Sequence, residues 1–213
     1  KTIAERNGVE MYDVYTGFKW IANVMRENEG KKNYIGGGEE SYGFLCEDFV
    51  RDKDAVSACV ILAEIAAWAK DQGLSLYQLL QKIYVEYGFS KEKGISVVKK
   101  GKSGAEEIEA MMKKFRENPL TEIAGSKVTY FYDYSTLKGK DYAENETVTL
   151  DMPTTSNVLQ YFTEDNTKVS IRPSGTEPKI KFYCEVHSKV KSIDKLPEAE
   201  KAAEEKINQI KAS

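Results

Sequence analysis

The sequence predicts a partial mixed α/β/α sheet domain over residues 1–88, followed by an antiparallel-sheet α+β domain over residues 89–213. Three observations lead to this. A chain of 213 residues is longer than a usual single domain. Its first half joins short strand-like segments to long apolar helices, which is typical of a mostly parallel sheet. Its second half contains short runs in which apolar and polar residues alternate, which favours antiparallel strands.

In the first half, residues 9–15 and 33–35 are predicted to be short strands, and a helix is expected to start at Phe18. A second helix should run from residue 55 to about residue 71, with Asp54 at its N-terminus. Ser75 and Gln78 form a capping-box pattern for a third helix ending at Gly88. We expect the apolar positions of these helices to be buried, namely Leu76, Leu79, Leu80 and Ile83 together with Trp20 and Trp68.

In the second half, strands are expected over residues 94–98, 128–134, 148–151 and 158–162. Ser103 and Glu106 suggest a capping box for a helix through Phe115. The final helix, from Pro197, carries a narrow apolar stripe made of Ala199, Ala203, Ile207 and Ile210.

Composition and charge exclude several classes of protein. A net charge of −3 argues against nucleic acid as a main partner, because that affinity depends on a basic surface. Nothing resembles a signal peptide or a membrane span, so the chain is expected to be cytoplasmic. Cys46, Cys59 and Cys184 are interpreted as core thiols. Because residue 1 is lysine and not methionine, the chain is interpreted as a piece of a longer protein.

Residues 171–179 are predicted to form a tight loop between two strands, because apolar and polar residues alternate on both sides. Arg172 offers a planar fork of donors, Ser174 and Thr176 offer hydroxyls, and Gly175 lets backbone N–H groups approach an anion. We call residues 172–179 the arginine loop, and we predict that it binds a phosphate dianion. An ordinary hairpin loop is the alternative, since Pro, Ser and Gly are turn residues.

A second polar segment, residues 36–43, is called here the glutamate loop and reads Gly-Gly-Gly-Glu-Glu-Ser-Tyr-Gly. Triple glycine suggests a nucleotide loop, but G-x-G-x-x-G is not completed. Glu39 and Glu40 would also repel phosphates. The Glu39 carboxylate and the Ser41 hydroxyl suit hydrogen bonds to neutral sugar hydroxyls. The alternative is a glycine-rich turn whose glutamates face water.

Four motifs stand in an order and spacing that resembles the α-D-phosphohexomutase superfamily, nearest to its phosphoglucomutase branch. They are Thr16-Gly17-Phe18-Lys19, Gly38-Glu39-Glu40-Ser41-Tyr42-Gly43, Arg51-Asp52-Lys53-Asp54 and Arg172-Pro173-Ser174-Gly175-Thr176. Members of the family have four domains. The chain resembles most of the third, without its first strand, and the whole fourth.

The resemblance implies a role for each motif. The glutamate loop would read sugar hydroxyls, and the arginine loop would hold the phosphate that is not reacting. Lys53 would face the active centre as a supporting catalytic residue, which would also explain a cation near a helix N-terminus. The substrate-binding residues implied are Thr16, Gly17, Glu39, Ser41, Arg172, Ser174, Gly175 and Thr176.

The family mechanism implied is phosphoryl transfer from an active-site phosphoserine to a hexose monophosphate through glucose 1,6-bisphosphate, with Mg²⁺. The T-A-S-H-N-P type of serine loop is missing, because the only histidine is His187. Asp48, Asp52 and Asp54 do not reproduce the D-x-D-x-D metal loop either. The expected partners are therefore a hexose phosphate and the remaining domains of the same enzyme, which would bind Mg²⁺, and this piece alone should be inactive. His187 is expected at the surface.

Other functions stay open at this point. Phosphomannomutase or phosphopentomutase activity is possible within the same superfamily, because the glutamate loop does not define the stereochemistry of the preferred sugar. A free-standing, non-catalytic module that binds sugar phosphates is the alternative from another class.

Overall fold

The computed structural model describes residues 1–39, 43–99, 101–175 and 177–212. The chain separates into two compact units, Lys1–Ile83 and Tyr84–Ser213. The fold class is mixed α and β, as expected. No helix in the described ranges combines the length and the apolar character needed to cross a membrane.

The first unit contains mainly helices and one small hairpin. Its small buried core consists of Phe18, Met25 and Leu45, with Ile21 and Tyr34 packed against it. The elements are α1 (Thr2–Arg6), α2 (Phe18–Glu27), β1 (Gly36–Gly38), β2 (Phe44–Cys46), α3 (Ala55–Asp71) and α4 (Leu76–Tyr87), the last of which crosses the division.

Two strand predictions for this unit were wrong. Residues 9–15 form no strand, and the Lys32 ammonium instead binds Glu10 and Tyr12 from this segment. Residues 33–35 are irregular as well, because the strand begins at Gly36. That strand pairs antiparallel with β2, so the parallel sheet that we expected is not seen among the described residues.

The caps of the two long helices were predicted correctly. Asp54 accepts hydrogen bonds from the N–H groups of Val56 and Ser57 at 3.3 and 2.9 Å, and the bond from Ser57 lowers the pKa of Asp54. Ser75 and Gln78 form the expected reciprocal capping box, with bonds of 2.8 and 3.2 Å.

Several apolar side chains of these helices are exposed, contrary to expectation. Trp68 is 55% exposed and Leu76 41% exposed, and Cys59 also lies at the surface. Only Ala69 is buried among the α3 residues, although α3 is apolar on nearly all sides. Trp20 is half-buried against Tyr15. The first unit therefore presents a large apolar surface of its own.

The second unit is an antiparallel sheet with helices on one face. Its strands are ordered β3-β10-β9-β8-β5-β6-β7, and β4 pairs separately with β5. The elements are β3 (Phe89–Val98), α5 (Gly101–Glu117), β4 (Glu122–Ile123), β5 (Ser126–Asp133), β6 (Lys138–Asp141), β7 (Glu146–Thr149), β8 (Leu159–Thr163), β9 (Thr167–Pro173), β10 (Lys179–Ser188), a 3₁₀ turn (Ile193–Lys195) and α6 (Leu196–Ala212).

The core of the second unit lies between this sheet and helices α5 and α6. Ile180 and Cys184 from β10 meet Met112 of α5 and Ile207 of α6 in one buried cluster. The predicted alternation on β9 and β10 and the apolar stripe of α6 are confirmed. The capping box at Ser103 was wrong, because α5 begins two residues earlier at Gly101, which has a left-handed φ of 79°.

Asp165 joins the β8–β9 turn to helix α6. Its carboxylate accepts bonds from the Thr163 hydroxyl at 2.6 Å and the Thr167 N–H at 3.3 Å, and it forms an ion pair with Lys206. Partial burial would raise the pKa of Asp165, but the hydrogen bonds from Lys206, Thr163 and Thr167 outweigh that effect and hold the pKa well below its usual range.

We therefore predict that Asp165→Asn lowers the free energy of unfolding at pH 7 by on the order of 1 kcal/mol. A carboxylate with a lowered folded-state pKa stabilises the fold above its unfolded pKa and loses this effect as the pH falls. The difference between Asp165→Asn and the parent should therefore shrink below about pH 4. Denaturant unfolding at pH 7 and pH 3 measures it. The exposed Asp151→Asn is the control, and an equal loss at both pH values would contradict the prediction.

Candidate functional site

In the first unit, the predicted site residues lie around the core residue Phe18. Phe18 opens α2 directly after Thr16 and Gly17, and the Lys53 ammonium lies 6.0 Å from the centroid of its ring. Gly17 has a φ of 119°, which favours glycine, while a Cβ at this position would have room. The backbone conformation of this turn, and not crowding, therefore requires Gly17.

The glycines of the glutamate loop are explained by close packing. The Tyr34 hydroxyl lies beside Gly37, where an added Cβ would come within 2.5 Å of it. That hydroxyl donates to the Leu45 carbonyl at 3.4 Å. At Gly38 an added Cβ would lie 3.1 Å from the Gly43 carbonyl oxygen. Glycine at these two positions therefore allows the hairpin to close tightly.

Two backbone hydrogen bonds hold the glutamate loop and the Lys53 segment together. The Glu39 N–H donates to the Gly43 carbonyl at 2.8 Å and extends the β1–β2 hairpin. The Asp54 N–H donates to the Phe44 carbonyl at 3.0 Å, one residue beyond Gly43. Glu39, Lys53 and the Thr16-Gly17 turn are thus carried by the same small core. Ser41 lies outside the described residues.

Lys53, the cation near the N-terminus of α3, has an anionic partner of its own. Its ammonium lies 3.1 Å from Asp52 Oδ1, and this hydrogen bond holds the pKa of Asp52 below its usual value. Both side chains are more than half exposed. This local pair explains how a lysine is tolerated before α3, and it leaves the ammonium accessible to solvent.

In the second unit, the arginine loop closes the β9–β10 hairpin. The Ser174 N–H donates to the Lys179 carbonyl at 2.8 Å, and the Lys99 N–H donates to the Pro178 carbonyl at 2.9 Å. Gly175 is exposed, and an added Cβ would meet no described atom within 4 Å. Neither crowding nor a left-handed backbone therefore requires this glycine, whereas an open backbone suits a bound anion. Thr176 lies outside the described residues.

Lys181 is a candidate binding residue that our sequence analysis missed. It lies directly opposite Arg172 in the β9–β10 ladder, and both alternate with buried residues, so they share the sheet face away from the helices. In the described part of the chain neither side chain forms an ion pair, and the Lys181 ammonium lies 6.0 Å from the Tyr183 ring. Counting residue pairs of β9 and β10 outward from the arginine loop would have identified Lys181 as the partner of Arg172.

Charge repulsion at this position favours a bound anion. Like charges directly opposite each other in an antiparallel pair destabilise it. Lys179 does not add to the repulsion, because it forms an ion pair with Glu177, and this bond lowers the pKa of Glu177. Arg172 and Lys181 thus remain as two neighbouring cations without an ion pair among the described residues, although the charge of Lys181 also contributes to lowering the pKa of Glu177. Two such cations beside an open loop backbone suit an anion such as phosphate.

The described residues do not form a metal site. No group of three or more His, Cys, Asp or Glu side chains among them could hold a metal ion. His187 is about half exposed, with Nε2 3.7 Å from Glu185 Oε1. The described part of this chain therefore does not fit a resident Mg²⁺.

We predict that Lys181→Met, which keeps the side-chain length and removes the charge, raises the free energy of unfolding without anion by roughly 0.2–1 kcal/mol. Added phosphate should then stabilise the variant less than it stabilises the parent. Thermal unfolding with and without phosphate measures both effects. Lys168→Met is the matched control on the same sheet face, because Lys168 pairs with Glu185 at 2.5 Å. An unchanged response of Lys181→Met to phosphate would contradict the assignment.

Comparison with known proteins assigns both units. Residues 1–87 match the family domain described as phosphoglucomutase/phosphomannomutase, alpha/beta/alpha domain III. Residues 96–203 match the phosphoglucomutase/phosphomannomutase C-terminal domain.

Similar curated proteins are phosphoglucomutases of staphylococci. The one from Staphylococcus haemolyticus is 37% identical over 187 residues, which cover 88% of this chain and 34% of that protein. The one from Staphylococcus aureus strain RF122 is 40% identical over 183 residues, covering 86% and 33%. The chain thus spans about a third of the length of these relatives.

A solved structure agrees with the fold. The open form of the Paramecium exocytosis-sensitive phosphoprotein pp63/parafusin, described as a phosphoglucomutase, matches with a TM-score of 0.57 and 20% identity. The match covers 90% of this chain and 31% of that one. With the two domain matches, it follows that the chain belongs to the phosphoglucomutase/phosphomannomutase family and carries its domain III and C-terminal domain.

Proposed function

We propose that the chain is the part of a phosphoglucomutase that recognises sugar and phosphate. The complete enzyme would interconvert glucose 1-phosphate and glucose 6-phosphate through a phosphoserine and glucose 1,6-bisphosphate. The identity of about 40% to staphylococcal phosphoglucomutases supports this choice within the family. The observation that carries it is the pair of neighbouring cations, Arg172 and Lys181, beside the open backbone of the arginine loop.

The arginine loop would hold the phosphate that does not react. Arg172 can donate two parallel hydrogen bonds to phosphate oxygens, and Lys181 contributes a point charge next to it. Ser174 and Thr176 would add hydroxyl groups, and Gly175 a close approach of the backbone. None of these groups needs to donate or accept a proton during phosphoryl transfer, because their contribution is charge and position.

The glutamate loop would hold the sugar. A carboxylate accepts hydrogen bonds from two adjacent hydroxyls, and the serine hydroxyl can both donate and accept. Glu39 and Ser41 could therefore bind a hexose in either of two opposite orientations. Lys53 and the Thr16-Gly17 turn, which lie around the same core as Glu39, would complete this side of the substrate site.

Other parts of the enzyme would supply the chemistry. The phosphoserine and the Mg²⁺ ligands are proposed to lie outside this chain, so the chain alone should not turn over substrate. An apolar helix surface is normally covered, and the 74% exposure of Val56 and 55% exposure of Trp68 on α3 support the remaining domains as its partner. The three cysteines are free, which agrees with a cytoplasmic enzyme.

An assay of the complete enzyme on glucose, mannose and ribose phosphates would distinguish phosphoglucomutase activity from the alternatives. We expect the highest kcat/KM with glucose phosphates. Preference for mannose or ribose phosphate would replace phosphoglucomutase by phosphomannomutase or phosphopentomutase, and the family description itself includes the former. Binding without turnover by the complete protein would instead favour a sugar-phosphate-binding module.

Arg172→Ala should weaken binding of glucose 6-phosphate to the complete enzyme. Each charge-assisted hydrogen bond is worth roughly 1.5–3 kcal/mol, so loss of one would raise Kd roughly 10- to 150-fold. Calorimetric titration measures the change. Lys191→Ala is the control, because it removes the same charge from an exposed lysine that forms no ion pair in the described chain. Equal affinities of the parent and Arg172→Ala would contradict the phosphate-binding role.

A further inference from the structure

Gly43, at the end of the glutamate loop, lies directly under the carboxylate of Glu39. A Cβ placed on Gly43 would overlap Glu39 Oε2 and would lie 3.1 Å from its Cδ and 3.3 Å from its Cγ. These are the three nearest described atoms, and all belong to the side chain of one residue. Glu39 therefore folds back over position 43 and occupies the space that any other residue would need for its Cβ.

Backbone conformation does not explain this glycine. Gly43 is not among the glycines of the described chain that adopt a left-handed φ, as Gly17 does. Its position also differs from those of Gly37, where a Cβ would meet Tyr34 and Ile21, and Gly38, where it would meet backbone. At Gly43 the three nearest described atoms, apart from those of its two chain neighbours, all belong to the Glu39 side chain.

The backbone around this contact is held on both sides. The Glu39 N–H donates to the Gly43 carbonyl at 2.8 Å, and Gly38 pairs with Phe44 in the hairpin. The next carbonyl, that of Phe44, accepts the Asp54 N–H at 3.0 Å. Gly43 itself is buried. A methyl group added at this position would therefore be accommodated by moving the end of the Glu39 side chain, which is the flexible partner.

We propose that Gly43 is a positioning residue that determines where the Glu39 carboxylate lies, and thereby which sugar hydroxyls it can bind. This inference rests on the proposed function, in which the Glu39 carboxylate accepts hydrogen bonds from the sugar hydroxyls. Gly43 contacts no substrate in this scheme and acts only through Glu39. Because a carboxylate displaced by about 1 Å no longer matches two adjacent hydroxyls, the effect on sugar recognition should be much larger than the effect on folding.

The test uses Gly43→Ala in the complete enzyme. We expect KM for glucose 1-phosphate to rise roughly ten- to hundredfold. The value of kcat should change by less than about threefold, because the variant weakens binding and does not alter the chemical step. The thermal midpoint should stay near that of the parent. Gly94→Ala is the matched control, because Gly94 also lacks a left-handed φ and an added Cβ there meets nothing within 4 Å. An unchanged KM for Gly43→Ala would overturn the proposal.

A double-mutant cycle with Glu39→Ala distinguishes an effect of Gly43 through the Glu39 side chain from a general distortion of the loop. If Gly43 acts through Glu39, Gly43→Ala should have no further effect on KM in the Glu39→Ala background. Equal effects of Gly43→Ala in both backgrounds would overturn the proposal and indicate distortion of the loop.

A crystal structure of Gly43→Ala distinguishes failure of this inference from failure of the proposed function. A displaced Glu39 carboxylate confirms the positioning contact whatever the substrate is. If the carboxylate moves but Glu39→Ala leaves KM unchanged, the assignment of Glu39 to the sugar is wrong. If the carboxylate stays in place, Gly43 does not position it, and this inference is wrong even where Glu39→Ala raises KM.

Discussion

The register between β9 and β10 is the constraint on which the proposed phosphate site depends. It sets Arg172 directly opposite Lys181 and thereby holds two positive charges together on one sheet face. The ladder can tolerate this repulsion because the other face of the same strands is deeply buried, with Ile171 and Ile180 almost inaccessible to solvent. Apolar burial of such residues is worth roughly 1.5–3 kcal/mol each, more than a like-charge pair costs. The core thus supports two neighbouring cations whose repulsion a bound anion would reduce.

The proposed sugar-binding side differs, because it depends on closely packed glycines and not on neighbouring charges. Three glycines at the β1–β2 hairpin each leave room for a different group: Gly37 for the Tyr34 hydroxyl, Gly38 for a carbonyl, and Gly43 for the Glu39 side chain. Helix α2, the β1–β2 hairpin and the segment that precedes α3 meet over a core of only a few buried residues. Precision there comes from backbone bonds such as that between Asp54 and Phe44, because the core is too small to supply it.

Sequence patterns predicted well those features that depend on local chemistry. The Asp54 cap, the Ser75–Gln78 capping box and the alternation on β9 and β10 each involve residues a few positions apart. Pairing between distant segments was harder to foresee. Residues 9–15 have a strand-like pattern but no partner strand among the described residues, so their backbone stays irregular. Trp68 and Leu76 were assigned to a core because the pattern of a helix shows which residues are apolar, not what covers them.

The same distinction, between local chemistry and pairing of distant segments, explains which candidate site residues could be predicted from the sequence. The arginine loop could be recognised as a motif, because Arg172, Ser174 and Gly175 lie within four residues of each other. Lys181 lies beside Arg172 only through the hairpin register, and Gly43 lies against Glu39 only because the Glu39 N–H pairs with the Gly43 carbonyl. Neither relation is a property of residue type. A lysine in a strand and a glycine after a tyrosine are both common, so the roles proposed for them follow from which side chains the folded backbone places against them.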